Sequence, residues 1–209
     1  MNFLNMVEIK TPLTIKSERG HISCIWQAAE LNKPHTAVLF VGGANGGFMG
    51  PSDIYETLSA LFIPLEIGVL RVDYRIHQFP NDVEQGVYDA NEAAKWLISR
   101  GYEKILIVGH SFGGAVAIEV AVQNTNIRGV IALASQTAGA MNIASLVDTP
   151  VLLIHGDADT RLPITCSIML YEMTSTPCQL AILEGGTHSL RQVCDATTDL
   201  IFDFVKDHI

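Results

Sequence analysis

Residues 106–115 read LIVGHSFGGA. Strand-forming apolar residues run into Gly109, then His110 and Ser111, then Phe112-Gly113-Gly114 at the start of an alanine- and valine-rich stretch. Two readings fit. Ser111 caps the following helix and the glycines serve packing, or Ser111 is a nucleophile held on a sharp strand-to-helix turn of the form G-x-S-x-G. By composition alone the three fixed residues would match on the order of 0.1 times in such a chain. The context is stronger, because the pentapeptide follows an apolar strand pattern and opens a helical one. A nucleophile on such a turn has an unfavourable backbone conformation, and glycines two residues to either side let the flanking backbone close up. The N–H of Phe112 would then face a developing oxyanion, with the positive end of the helix behind it.

Working outward, apolar strand-like runs alternate with helical patterns. Strands are predicted at 7–15, 21–29, 36–42, 66–74, 104–109, 127–135, 149–156 and 178–185. Helices are predicted at 51–62, 81–101, 112–123, 164–174 and 189–208. In the second helix Val83, Val87, Ala90, Ala94 and Leu97 recur at spacings of four and three, and Gly101 sits at the cap position. This alternation predicts βαβ units: an α/β chain with a mostly parallel sheet of about eight strands and helices on both faces. No repeat, linker or low-complexity tract interrupts it, so residues 1–209 read as one domain. Ligands of such sheets bind beyond the carboxyl ends of the strands.

Composition agrees. Of 209 residues 48% are hydrophobic and 17% charged, as strands buried on both faces require. A net charge of −9 argues against binding nucleic acid or an anionic membrane, and suits neutral or cationic small molecules. No run of 18 apolar residues is present to span a bilayer, and Glu8 and Lys10 interrupt any signal-peptide core. Cys24, Cys166, Cys178 and Cys194 lack CxxC spacing and read as reduced thiols of a cytoplasmic protein. No histidine pair has metal-ligand spacing, so neither a metal nor a cofactor is expected.

A serine nucleophile needs a base, and the base an orienting acid. Beyond the strand at 149–156 stand Asp157 and Asp159, and beyond the strand at 178–185 stands His188. The order Ser…Asp…His, with each residue in its own post-strand loop, is much harder to reach by chance than the pentapeptide. Either aspartate fits this reasoning.

Taken together, GHSFGG, HGDADTRLP and GGTHSL resemble the elbow, the HGxxDxxxP acid loop and the histidine loop of the α/β-hydrolase family, over nearly the whole chain. The resemblance implies an α/β-hydrolase fold and a serine hydrolase cleaving carboxylic esters or thioesters of small, accessible acyl groups. Ser111 would be the nucleophile, Asp159 the acid and His188 the base, leaving Asp157 to hold its loop. The oxyanion hole would combine the N–H of Phe112 with that of Gly43, Ala44 being second choice. Family members commonly carry His-Gly where this chain has Val41-Gly42. The family's amide hydrolases and a non-catalytic binding module of the same fold are the alternatives.

Only some 15 residues separate the strand ending near 135 from the next. They have room for one short helix, near 139–146, and no lid. His110 and His155 read as loop-supporting residues. His21, His35, His77 and His208 read as surface or turn residues. Asp73 and Arg75 are expected to hold a loop, and Phe48, Met49, Phe79 and Met141 are candidates for lining an acyl pocket.

Overall fold

A computed structural model of the chain describes residues 9–28, 35–77 and 82–209. Eight strands form one sheet: β1 (Ile9–Ser17), β2 (Gly20–Ala28), β3 (Thr36–Val41), β4 (Gly68–Asp73), β5 (Lys104–His110), β6 (Ile127–Leu133), β7 (Val151–Gly156) and β8 (Cys178–Leu183). Their order is β1-β2-β4-β3-β5-β6-β7-β8. The β1–β2 and β2–β4 pairs are antiparallel and every other pair is parallel. The helices are α1 (Ile54–Phe62), α2 (Val83–Ser99), α3 (Phe112–Gln123), α4 (Thr165–Met173) and α5 (Cys194–Asp207).

Side-chain alternation divides the core between the two faces of the sheet. Ala37, Leu39 and Val41 of β3, with Ile105 and Ile107 of β5, pack against α2 and α3. Their neighbours Val38, Phe40, Leu106 and Val108 pack with α1 and α5 on the other face. Both faces are covered, which is why these strands read as unbroken apolar runs rather than as alternating ones. Residues Phe112 to Ala121 of α3 are all buried. Helix α2 is amphipathic and begins at Asp82, whose carboxylate accepts the Glu84 N–H at 2.9 Å.

β4 and β5 flank β3 on opposite sides. The chain leaves β3 first one way and then the other, which opens a crevice at the carboxyl ends of β3 and β5. The glycine loop after β3 and the turn at Ser111 meet there.

Several expected boundaries move. The stretch 51–62 splits into a 3₁₀ turn at Pro51–Asp53 and α1, because Ser52 and Asp53 adopt left-handed φ of 50° and 61°. The Ser52 hydroxyl donates to the Ser189 carbonyl at 3.0 Å, a tertiary bond that holds this kink. Likewise 189–208 becomes a 3₁₀ turn at Arg191–Val193 followed by α5, with Leu190 left-handed at φ 54°. The short helix near 139–146 is a 3₁₀ turn, Met141–Ser145. Positions 7, 8 and 29 of the first two predicted strands lie outside the described residues. Among the described residues no helix is long and apolar enough to cross a membrane.

Candidate active site

Ser111 links β5 to α3 at φ 58°, ψ −114°. For a non-glycine residue this backbone costs on the order of 1–3 kcal/mol, and the surrounding glycines make it attainable. A Cβ on Gly109 would lie 1.9 Å from the Gly113 carbonyl oxygen, and one on Gly113 only 2.3 Å from that of Gly42. Both positions therefore exclude side chains, and Gly113 sets the close approach of the elbow to the loop after β3. The Ser111 hydroxyl makes no capping bond to α3. It lies 3.0 Å from His188 Nε2 instead.

His188 sits in the loop after β8, its Nδ1 2.7 Å from Asp159 Oδ2 in the loop after β7. A carboxylate only accepts, so Nδ1 carries the proton and Nε2 is left to accept from the serine. The Asp159 side chain is fully buried. Burial opposes its charge, but the Leu162 N–H, the His188 ring and the Arg161 N–H outweigh that and hold the carboxyl below the usual carboxylate range. Its Oδ1 accepts Arg161 N at 2.8 Å and Leu162 N at 3.0 Å, so the acid is fixed by its own loop. Asp157 is exposed and turned away from the histidine, accepting the Gly185 N–H at 2.7 Å. Of the two aspartates, Asp159 is the one brought to His188.

Two further histidines brace these loops. His110 Nε2 donates to the His188 carbonyl at 2.8 Å, with the two rings 4.9 Å apart. Burial pushes the His110 pKa down to about 4, so this brace is neutral at ordinary pH. His155 is fully buried. Its Nε2 donates to the Leu162 carbonyl at 3.0 Å and its Nδ1 accepts from Ser167 Oγ at 2.7 Å.

The loop after β3 turns tightly, the Gly46 N–H reaching the Gly43 carbonyl at 2.9 Å. Gly43 packs directly on the elbow: a Cβ there would lie 3.9 Å from Ser111 Cβ. Phe112 opens α3, so its N–H is among those a helix leaves without an internal partner. Asp73, at the end of β4, accepts the Gly47 N–H at 2.6 Å and lies 2.8 Å from His77 Nε2. It holds the glycine loop as well as its own, and the contact with Gly47, 26 residues apart, is one that no local pattern announces. Arg75 pairs with Asp89.

These loops enclose a cleft of about 800 Å³ lined by Gly43, Phe48, Met49, Ser111, Arg161 and His188, among others. Phe48 and Met49 lie where a pocket for acyl groups was expected. Met141 does not line the cleft: it stands on the 3₁₀ turn between β6 and β7, 48% exposed. Phe79 lies outside the described residues. A second groove of about 780 Å³, between α2 and α3, contains none of Ser111, Asp159 or His188.

The sheet, its helices and the strand-end cleft define the α/β-hydrolase fold. Solved structures share it: the protein of unknown function ATU1826 from Agrobacterium tumefaciens (TM-score 0.81, 19% identity, covering 94% of this chain and 95% of that one); dienelactone hydrolase from Anabaena variabilis (0.81, 17%, 97% and 99%); and XC6422 from Xanthomonas campestris, described as a serine hydrolase without a lid (0.76, 18%, 99% and 97%). The model of the phospholipase/carboxylesterase family matches residues 75–209, and the chain belongs to that family. Membership supports a hydrolase of ester type. The matched region includes Ser111, Asp159 and His188, while the glycine loop lies upstream of it.

Proposed function

We propose that the protein is a serine hydrolase that cleaves carboxylic esters or thioesters through an acyl-enzyme. The observation that carries this reading is the continuous chain from Ser111 Oγ through His188 to Asp159, at 3.0 and 2.7 Å. Ser111 Oγ attacks the carbonyl carbon while His188 Nε2 takes its proton. Asp159 stabilises the resulting imidazolium and keeps the ring in the useful tautomer. Negative charge on the carbonyl oxygen is held by the N–H groups of Phe112 and Gly43. Collapse expels the alcohol or thiol with the proton from His188 and leaves the acyl group on Ser111. Water then loses a proton to His188, attacks the same carbon and frees the acid, restoring the serine. A backbone as strained as that of Ser111 would be a poor investment for a protein that only binds.

Between Leu133 and Val151 the chain forms only one short 3₁₀ turn, so this segment supplies no lid over the cleft. The reading is therefore of small or accessible acyl groups. The test is turnover of p-nitrophenyl esters of increasing chain length, with Ser111→Ala as control. Turnover should be greatest for short acyl chains and fall by at least about 10³-fold in the variant. Wild-type turnover no higher than that of the variant would overturn the proposal.

A further inference from the structure

We propose that the substrate carries an anionic group, a carboxylate or a phosphate, and that Arg161 is the residue that selects it. This rests on the esterase reading of the same cleft and adds the substrate class to it.

The cleft is lined mainly by glycines, by the apolar Ala44, Phe48, Met49, Pro51 and Leu162, and by hydroxyl and amide side chains. Among the described residues Arg161 is the only Lys, Arg, Asp or Glu that lines it. The site histidines do not compete with it for an anion. His188 is committed to Asp159 and Ser111, and His110 is neutral and bonded to the His188 carbonyl.

The Arg161 guanidinium has no ion pair or hydrogen bond within the described residues, although the protein carries 22 acidic residues against 13 basic ones. Arg71, Arg75 and Arg19 are tied to Glu56, Asp89 and Glu84, and Arg128 and Arg191, which make no ion pair within the described residues either, do not line the cleft. An exposed cation left unpaired on an acidic protein, inside the cleft, suits a ligand of opposite charge.

The arginine also stands on a rigid base. Its backbone N–H is bound to Asp159 Oδ1, and the next carbonyl, that of Leu162, accepts from His155. The loop that positions the acid thus positions the guanidinium stem. β7 lies two strands from β5 in the sheet. Arg161 and Ser111 line the same cleft, and the Arg161 backbone is joined to Ser111 through Asp159 and His188, which puts the guanidinium stem beside the site where an ester would bind. The glycine loop with Phe48 and Met49 lies on the opposite side, beyond β5. The cleft is therefore apolar at one end and cationic at the other. The net charge of −9 suggests neutral or cationic ligands, but the local lining points the other way.

The test compares matched esters that differ in charge. In the acyl arm, the mono-p-nitrophenyl ester of glutarate is set against p-nitrophenyl pentanoate. In the alcohol arm, 4-acetoxybenzoate is set against phenyl acetate. Wild type should favour the anionic member of at least one pair in kcat/KM by about tenfold, equivalent to roughly 1.4 kcal/mol. Arg161→Glu should reverse that ratio, Arg161→Lys should keep part of it, and added salt should shrink it. The preferring arm shows on which side of the ester the anion sits. Hydrolysis of the neutral esters without preference in either arm, or a ratio unmoved by Arg161→Glu, overturns the inference and leaves the esterase reading standing. Failure of wild type to hydrolyse any of the four overturns both.

Discussion

Asp159→Asn is the substitution whose consequence follows most directly from the hydrogen bonds. Oδ1 of Asp159 accepts from two backbone N–H groups at 2.8 and 3.0 Å, and Oδ2 faces His188 Nδ1 at 2.7 Å. An asparagine has one accepting oxygen, and the two N–H groups claim it. Its NH₂ then faces His188 Nδ1, which must become an acceptor. The proton moves to Nε2, which can no longer take one from Ser111. Flipping the amide instead sets NH₂ against two N–H donors, which is worse. Either arrangement removes the base, and loss of the correct tautomer costs roughly 10⁴ in kcat, or about 5 kcal/mol of transition-state stabilisation. Asp157→Asn provides the contrast. Asp157 is exposed and accepts only the Gly185 N–H through Oδ1, a bond asparagine can keep, so kcat should change by less than about threefold. Steady-state kinetics on p-nitrophenyl acetate, with thermal unfolding as a check on folding, decide the matter. A folded Asp159→Asn enzyme retaining more than a tenth of wild-type kcat, or an Asp157→Asn enzyme losing as much, would refute the reasoning.

Two further expectations concern the supports of the site. Burial lowers the His110 pKa from the ordinary 6.5 to about 4, so between these values the unfolded chain binds a proton that the folded chain refuses. Stability from this group is whole above about pH 6.5 and declines toward pH 4, by about 3 kcal/mol in all; urea unfolding of His110→Gln across that range should show a slope smaller by one proton, and an unchanged slope would deny the burial effect. Gly113→Ala would press a methyl to 2.3 Å from the Gly42 carbonyl and should cost about 1–3 kcal/mol of stability while lowering kcat, because the clash falls between the elbow and the glycine loop; calorimetry and ester kinetics on one preparation check both, and an unaltered kcat would detach Gly113 from the site.

The parts of the fold legible in the sequence are those set by short-range pattern. The strands β3 and β5 read as continuous apolar runs because α1 and α5 cover one face and α2 and α3 the other. The elbow was legible because Gly109 and Gly113 leave no room for side chains. Asp159 was separable from Asp157 only through a family resemblance, since two carboxylates two residues apart look alike until the Arg161 and Leu162 amides fix one of them. What stayed hidden rests on tertiary contacts. Ser52 and Asp53 carry no mark of left-handed backbone, which the Ser52 bond to Ser189, 137 residues away, stabilises. Asp73 read as a brace for its own loop, where it meets His77, but its second contact was hidden: the turn at Gly46 and Gly47 brings the glycine loop to it. Met141 was grouped with the cleft on hydrophobicity alone, and the chain between β6 and β7 puts it in solvent.

The central claim is that Ser111 is the nucleophile, and covalent labelling tests it most directly. Diisopropyl fluorophosphate modifies activated serines, and trypsin would release the target within residues 105–128, a peptide whose only serine is Ser111. The account predicts one adduct per chain on that peptide, with ester turnover falling in proportion to its formation. An adduct on another serine, or full labelling that leaves turnover intact, would contradict it.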